Sequence, residues 1–135
     1  MKKYILITLF GLISSLYSCS QENKIYNDKI EYPYVALEKR QDTILQNMNK
    51  LEKSMTNNEV LKLLSLPDEI NPTYPPDKTA KKAIGYSYVY IIERKQETGS
   101  QIEKSEKLIR IHFDLNGILL SAYAIEIPEF NEIYL

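Results

Sequence analysis

The run from Ile84 to Ile92, Ile-Gly-Tyr-Ser-Tyr-Val-Tyr-Ile-Ile, constrains the fold more than any other segment, because aromatic and β-branched residues dominate it as they do in strands. Side chains two apart share a face of a strand, so Tyr86, Tyr88, Tyr90 and Ile92 point one way and Ser87, Val89 and Ile91 the other. Two further strands are predicted over 108–113 and 118–127, joined by Asp114-Leu-Asn-Gly117. Gly117 can adopt the left-handed backbone that such a hairpin turn needs. With Asp114 opposite Ile118, the residues Ile109, Ile111 and Phe113 share a face with Leu119, Ser121 and Tyr123, and this bulkier face is expected to meet helices. Leu108, Arg110 and His112 with Leu120, Ala122 and Ala124 form the opposite face. That face is only half polar, so it is either a contact surface or covered by loops.

Two helices precede the strands. Leu37, Ile44, Leu45, Met48 and Leu51 recur at near-helical spacing among charged residues, which predicts an amphipathic helix over 36–52. In Met55-Thr-Asn-Asn-Glu-Val60, Thr56 and Glu59 have the spacing of a capping box, and Met55 with Val60 that of a hydrophobic staple. The second helix should end near Leu66, because Pro67 lacks a donor and disfavours helical geometry in the residue before it. Residues 67–82 hold four of the six prolines and are expected to form an extended loop, neither strand nor helix. The charged stretch from Arg94 to Glu106 is expected to be an exposed connection. The fold class that follows is α+β, with two N-terminal helices packed on one face of a three-stranded antiparallel sheet in the order ααβββ.

The N-terminus belongs to a different logic. Met1-Lys2-Lys3 precedes an apolar run from Tyr4 to Leu16, the layout of a secretory signal. The run is shorter than the ~20 residues of a membrane-spanning helix. Leu16-Tyr-Ser-Cys19 then resembles the bacterial lipobox, and Cys19 is the single cysteine of the chain. The resemblance implies that a diacylglyceryl group is attached to the Cys19 thiol, that the signal is cut before it, and that the new terminus is acylated. It also implies the outer membrane, since Ser20 stands where retention in the inner membrane often uses Asp. The alternative is a free thiol near an ordinary cleavage site. The expected organisation is a signal over 1–18, a lipidated cysteine and tether over 19–33, and a domain over 34–135. Removing 1–18 takes away Lys2 and Lys3, and the remaining 117 residues carry fifteen basic against eighteen acidic groups.

The absence of basic excess disfavours nucleic acid as a partner. One histidine, one cysteine and scattered glycines offer no catalytic triad, zinc-ligand spacing or phosphate-cradling loop, so neither enzyme, metal nor cofactor is expected. Asp68-Glu69 are adjacent carboxylates, more simply read as solvated loop residues. Eleven tyrosines with no tryptophan are more informative. Tyrosine joins apolar area to a polar tip and is common at interfaces, so Tyr86, Tyr88 and Tyr90 are candidate partner-binding residues, together with Arg110, His112 and Leu120 on the other strands. The competing reading is that the tyrosine rings cap the sheet or pack beneath the proline-rich segment.

Met55-Thr56-x-x-Glu59-Val60-x-x-Leu63-Leu64-Ser65-x-Pro67, followed by Tyr86-x-Tyr88 and by Phe113-Asp114-x-Asn116-Gly117, resembles the SmpA/OmlA (BamE-type) family of small outer-membrane lipoproteins, within the wider group with the β-lactamase-inhibitor-protein-like fold. The likeness covers about residues 48–122. It implies a non-catalytic, membrane-anchored envelope lipoprotein that binds another protein, such as a component of β-barrel assembly. An inhibitor or immunity-type lipoprotein that blocks a periplasmic or secreted enzyme is the alternative the wider fold group implies. Many members of the family have Gly where this chain has Ser54 and Ser65, and serine at a positive φ carries a steric cost.

Overall fold

The computed structural model describes residues 31–95 and 105–135. Cys19, the signal and most of the expected tether lie outside these residues. The described chain begins with a short strand, β1 (Tyr34–Val35), and continues into α1 (Glu38–Asn47), which tightens into a 3-10 turn over Met48–Lys50. There follow α2 (Asn57–Leu64), β2 (Glu69–Thr73), β3 (Gly85–Arg94), β4 (Glu106–Asp114) and β5 (Leu119–Ile125). The sheet is antiparallel with β3 and β4 at its centre and β5 at one edge. At the other edge β1 and β2 share the length of β3, β2 pairing with Gly85–Val89 and β1 with Glu93 and Arg94.

Among the described residues the architecture is therefore α+β with two helices and an antiparallel sheet of five strands, not three. Glu69–Thr73, expected to be loop, is a strand in spite of Pro72. A proline cannot donate to a ladder, but β2 is an edge strand and tolerates one. Arg94 and Glu106, expected at the ends of an exposed connection, instead pair with each other in the β3–β4 ladder.

The capping box forms. Thr56 Oγ1 accepts from the Glu59 amide, and the Thr56 amide donates to Glu59 Oε2 at 2.7 Å, so two helix-end donors are satisfied reciprocally. These hydrogen bonds to the charged form hold the Glu59 carboxyl below its ordinary value. The segment before the cap runs beside the hairpin: the Ser54 amide donates to the Leu119 carbonyl, the Leu119 amide to Met55, and the Asn57 amide to Gly117. In the turn, Asp114 Oδ1 accepts from the amides of Asn116 and Ile118. Gly117 takes φ +78°, and a side chain there would crowd Asn57 and the Tyr86 hydroxyl. Ser54 and Ser65 both adopt positive φ, 74° and 67°, the left-handed region that glycine enters more readily.

One face of the sheet packs on the helices. Ile44 and Met48 from the first helical stretch, with Val60 and Leu64 from α2, are buried with Tyr88, Tyr90, Ile92, Ile109, Ile111, Phe113 and Leu119. At ~25 cal/mol per Å² of apolar surface, this continuous cluster is the main source of stability. The β4 residues lie on the expected face, but the β5 residues beyond Leu119 do not. Phe113 pairs with Leu119 while His112 pairs with Ser121, so one residue is inserted at Leu120. That bulge exchanges the faces: Ala122 and Ala124 turn toward the core, while Ser121 and Tyr123 join His112 and Arg110 outside.

Candidate functional site

The sequence candidates divide between the two faces. Tyr88 and Tyr90 are fully buried beneath the helices, and Tyr86 is half-buried beside them. The Tyr86 hydroxyl accepts from Asn57 Nδ2 at 2.9 Å, and the Tyr90 hydroxyl donates to the Ser65 carbonyl at 3.0 Å. Phe113 completes a triangle of rings with Tyr86 and Tyr88, its centroid 5.3 and 4.7 Å from theirs, which are 5.7 Å apart. The Arg40 guanidinium stands 5.9 Å above Tyr90. Burial pushes the pKa of all three phenols above the ordinary value, so they stay neutral. These tyrosines are structural: their apolar bodies fill the core, and the hydroxyls of Tyr86 and Tyr90 hold the two ends of α2. As a partner-binding surface they are corrected, because the helices already occupy the face they form.

Arg110, His112 and Leu120 do come together, on and beside the outer face. His112 faces Ser87 on β3 and Ser121 on β5, and its ring stacks on Tyr123 with centroids 5.9 Å apart. Burial and, secondarily, the Arg110 charge push the His112 imidazole below its ordinary value, so at neutral pH it presents an uncharged ring. His112 and Leu120 line a cavity of about 290 Å³ with Thr73, Ile84, Gly85, Phe113, Ser121 and Leu135. A side chain at Gly85 would overlap the Phe113 carbonyl, so the strands approach closely at the floor of this cavity. The walls are mainly apolar and the rim is open, with Ile84 53% and Leu135 87% exposed. Such a recess can receive an apolar side chain, with His112 and Ser121 supplying orienting hydrogen bonds.

A second cluster escaped the sequence reading. Asp68 is buried at the junction of α2 and β2, where Oδ2 accepts from the Ile91 amide at 2.6 Å and from Arg40 at 3.0 Å. Arg40 also donates to the Leu66 carbonyl, and Tyr34 donates to Asp68 Oδ1. Next to it Arg94, 2% exposed, pairs with Glu69 and Glu106. Beside these charges Val89, Ile91 and Leu108 form a small buried cluster against which Tyr34 packs. The partners are far apart in sequence, so no local spacing announces them. Their arrangement is that of ion pairs and hydrogen bonds tying α1, β1 and β2 to the central strands.

Among the described residues no group of carboxylates, histidines and cysteines is placed to hold a metal ion, and no helix is long and apolar enough to cross a membrane. Compared with known proteins, the chain matches no family model, no curated relative and no solved structure.

Proposed function

We propose that the chain is a membrane-anchored, non-catalytic lipoprotein of the cell envelope whose domain binds another protein, as an accessory to outer-membrane protein assembly. The anchor is Cys19, on the strength of the lipobox-like Leu-Tyr-Ser-Cys sequence and of a leader too short to span. A thioether-linked diacylglyceryl group with a further acyl chain holds a protein at a bilayer, because each buried methylene contributes about 0.8 kcal/mol.

The observation that carries the binding role is the outer sheet face around His112. It presents an open, mainly apolar recess with Ile84, Tyr123 and Leu135 exposed about it, on the side of the sheet that the helices leave clear. The contact between the Met-Thr capping segment and the Phe-Asp-x-Asn-Gly hairpin also supports the assembly-accessory role, since these are the segments on which the family resemblance rests.

Two measurements test the reading. Cys19→Ala should move the protein from the membrane to the soluble fraction; undiminished membrane association would refute the anchor. A photo-crosslinking residue at Ser121 or Tyr123 should capture a β-barrel assembly component in intact envelopes, whereas the same residue at Lys62 on α2 should not. Capture of a secreted or periplasmic hydrolase from the outer face would replace the assembly role with inhibition.

A further inference from the structure

We infer that the edge of β5 is a docking site for an extended segment of another protein, which adds to the sheet as a sixth strand, and that the chain's own C-terminal residues cover this edge as a displaceable strap. The inference concerns the edge of the sheet, not its outer face, and holds with or without the lipid anchor proposed above.

β5 reads Leu-Leu-Ser-Ala-Tyr-Ala-Ile, with neither charge nor proline. Edge strands are commonly protected by lysine, proline or a covering element, because their unpaired amides and carbonyls are templates for another strand. The opposite edge follows that rule through Pro72 in β2. At β5 the protection comes from the C-terminal residues and is confined to one point: the Ala122 amide donates to the Ile133 carbonyl, and the Ile133 amide to the Ala122 carbonyl, both at 2.9 Å. Alternate residues of a strand direct their backbone groups to the same side. Since Ala122 faces outward to Ile133, the amide and carbonyl of Ala124 face outward too, and no hydrogen bond to them from the C-terminal residues is present among the described residues.

The strap is fixed at two places, its beginning and Ile133, whose side chain packs partly buried against the core. Ile127 and Phe130 are buried, and the Asn131 amide donates to Asn49 Oδ1 at 2.8 Å. Beyond this the Ile133 bridge holds it, with a long contact from Lys53 Nζ to the Tyr134 carbonyl at 3.4 Å. Cavities flank the crossing. One of about 340 Å³ lies between Ser121–Tyr123 and Ile133–Leu135, and another of about 590 Å³ reaches from Ala124 to Asn131 and Tyr134. A strand laid along β5 would therefore find open space on both sides of the single bridge it has to replace. The strap defines the chemistry of the occupant: an extended segment, uncharged where it crosses Ala122, with an apolar residue in the position of Ile133.

The test uses the full chain and a peptide with the sequence of residues 129–135. Amide hydrogen exchange followed by NMR should be slow at Ala122 and fast at Ala124 in the unmodified protein; equal protection at the two would overturn the open edge. Ile133→Pro removes the amide that bonds Ala122, so the peptide should bind at least about tenfold more tightly and slow exchange at both alanines. Ala124→Pro, which removes only an outward donor, should abolish that gain. If Ile133→Pro disturbs the fold, excess peptide added to the unmodified protein still has to slow Ala124, and Ala124→Pro still has to weaken the binding of that peptide. Unchanged affinity, or no slowing at Ala124, refutes the docking site. Self-association of Ile133→Pro without peptide would make a second copy the occupant and overturn the assignment to another protein.

Discussion

The two faces of the sheet are built from the same strands and solve opposite problems. On the inner face Tyr88, Tyr90, Ile109, Ile111 and Phe113 meet the helices in a continuous apolar contact, where packing is non-directional and each ring has many neighbours. On the outer face three apolar residues, Val89, Ile91 and Leu108, sit near Arg94 and Glu69, and where α1 meets the start of β2 Arg40 pairs with Asp68; at these ion pairs each partner is specific and its loss strands a buried charge. The difference lies in how tolerance is distributed. The inner face should accept changes that conserve volume and resist truncation, whereas beside the ion pairs even a change that conserves volume should be felt.

Substitutions that separate packing from polarity sharpen this contrast. The largest expected effect is at Tyr90: Tyr90→Ala should destabilise the fold by about 3–5 kcal/mol in urea denaturation. Tyr90→Phe, which loses only the bond to the Ser65 carbonyl, should cost about 1 kcal/mol. Equal losses for the two would mean that the inner face depends on that polar tip. Among the ion pairs Asp68→Ala should cost about 3 kcal/mol, since it deprives Arg40 and the Ile91 amide together. Asp68→Leu, though larger and apolar, should be no better; a stable Asp68→Leu protein would show that this junction is packed like the core.

A smaller gain is expected from Ser65→Gly. Ser65 has φ 67° and ψ −162°, a region that glycine enters without strain, so the substitution should stabilise by about 1 kcal/mol after the loss of its contact with Arg40. No gain in midpoint would show that the Arg40 contact matters more than the backbone. The smallest effect is the pH dependence set by His112. Its folded-state value is depressed, so below about pH 6.5 the unfolded chain takes up a proton more readily than the folded one, and stability falls as pH falls through that window. His112→Gln should flatten the pH dependence of the urea midpoint in that window; an unchanged slope would place the imidazole in a watery setting.

What could be read from the sequence was what depends on neighbours in the chain. The Thr56–Glu59 box, the Asp114–Gly117 turn and the alternation of Tyr86, Tyr88 and Tyr90 are patterns a few residues long, and each formed. The side to which the tyrosines face was not local, because it depends on which surface the helices choose. β2 was hidden by Pro72, whose missing donor matters only in a strand paired on both sides. The outer position of Ser121 and Tyr123 was hidden by a one-residue insertion at Leu120 that leaves hydrophobic alternation superficially intact. Asp68 looked like a solvated loop carboxylate because its partners Arg40 and Ile91 are brought to it only by the completed sheet. Of the residues that line the recess, His112 and Leu120 belong to the strands whose half-polar pattern is visible in the sequence, while Ile84 and Leu135 come from segments whose positions only the fold determines.

The hydrogen bonds joining Ser54, Met55 and Asn57 to the hairpin have a kinetic consequence. They close a chain loop of roughly sixty residues, between Asn57 and Gly117, and the entropy of that closure must be met before the contact gives anything back. The cap of α2 and the β4–β5 turn should consequently become native together and late, so that substitutions such as Gly117→Ala speed unfolding far more than they slow folding. The second helix then has no independent lifetime: it arrives and departs with a turn encoded at the other end of the domain.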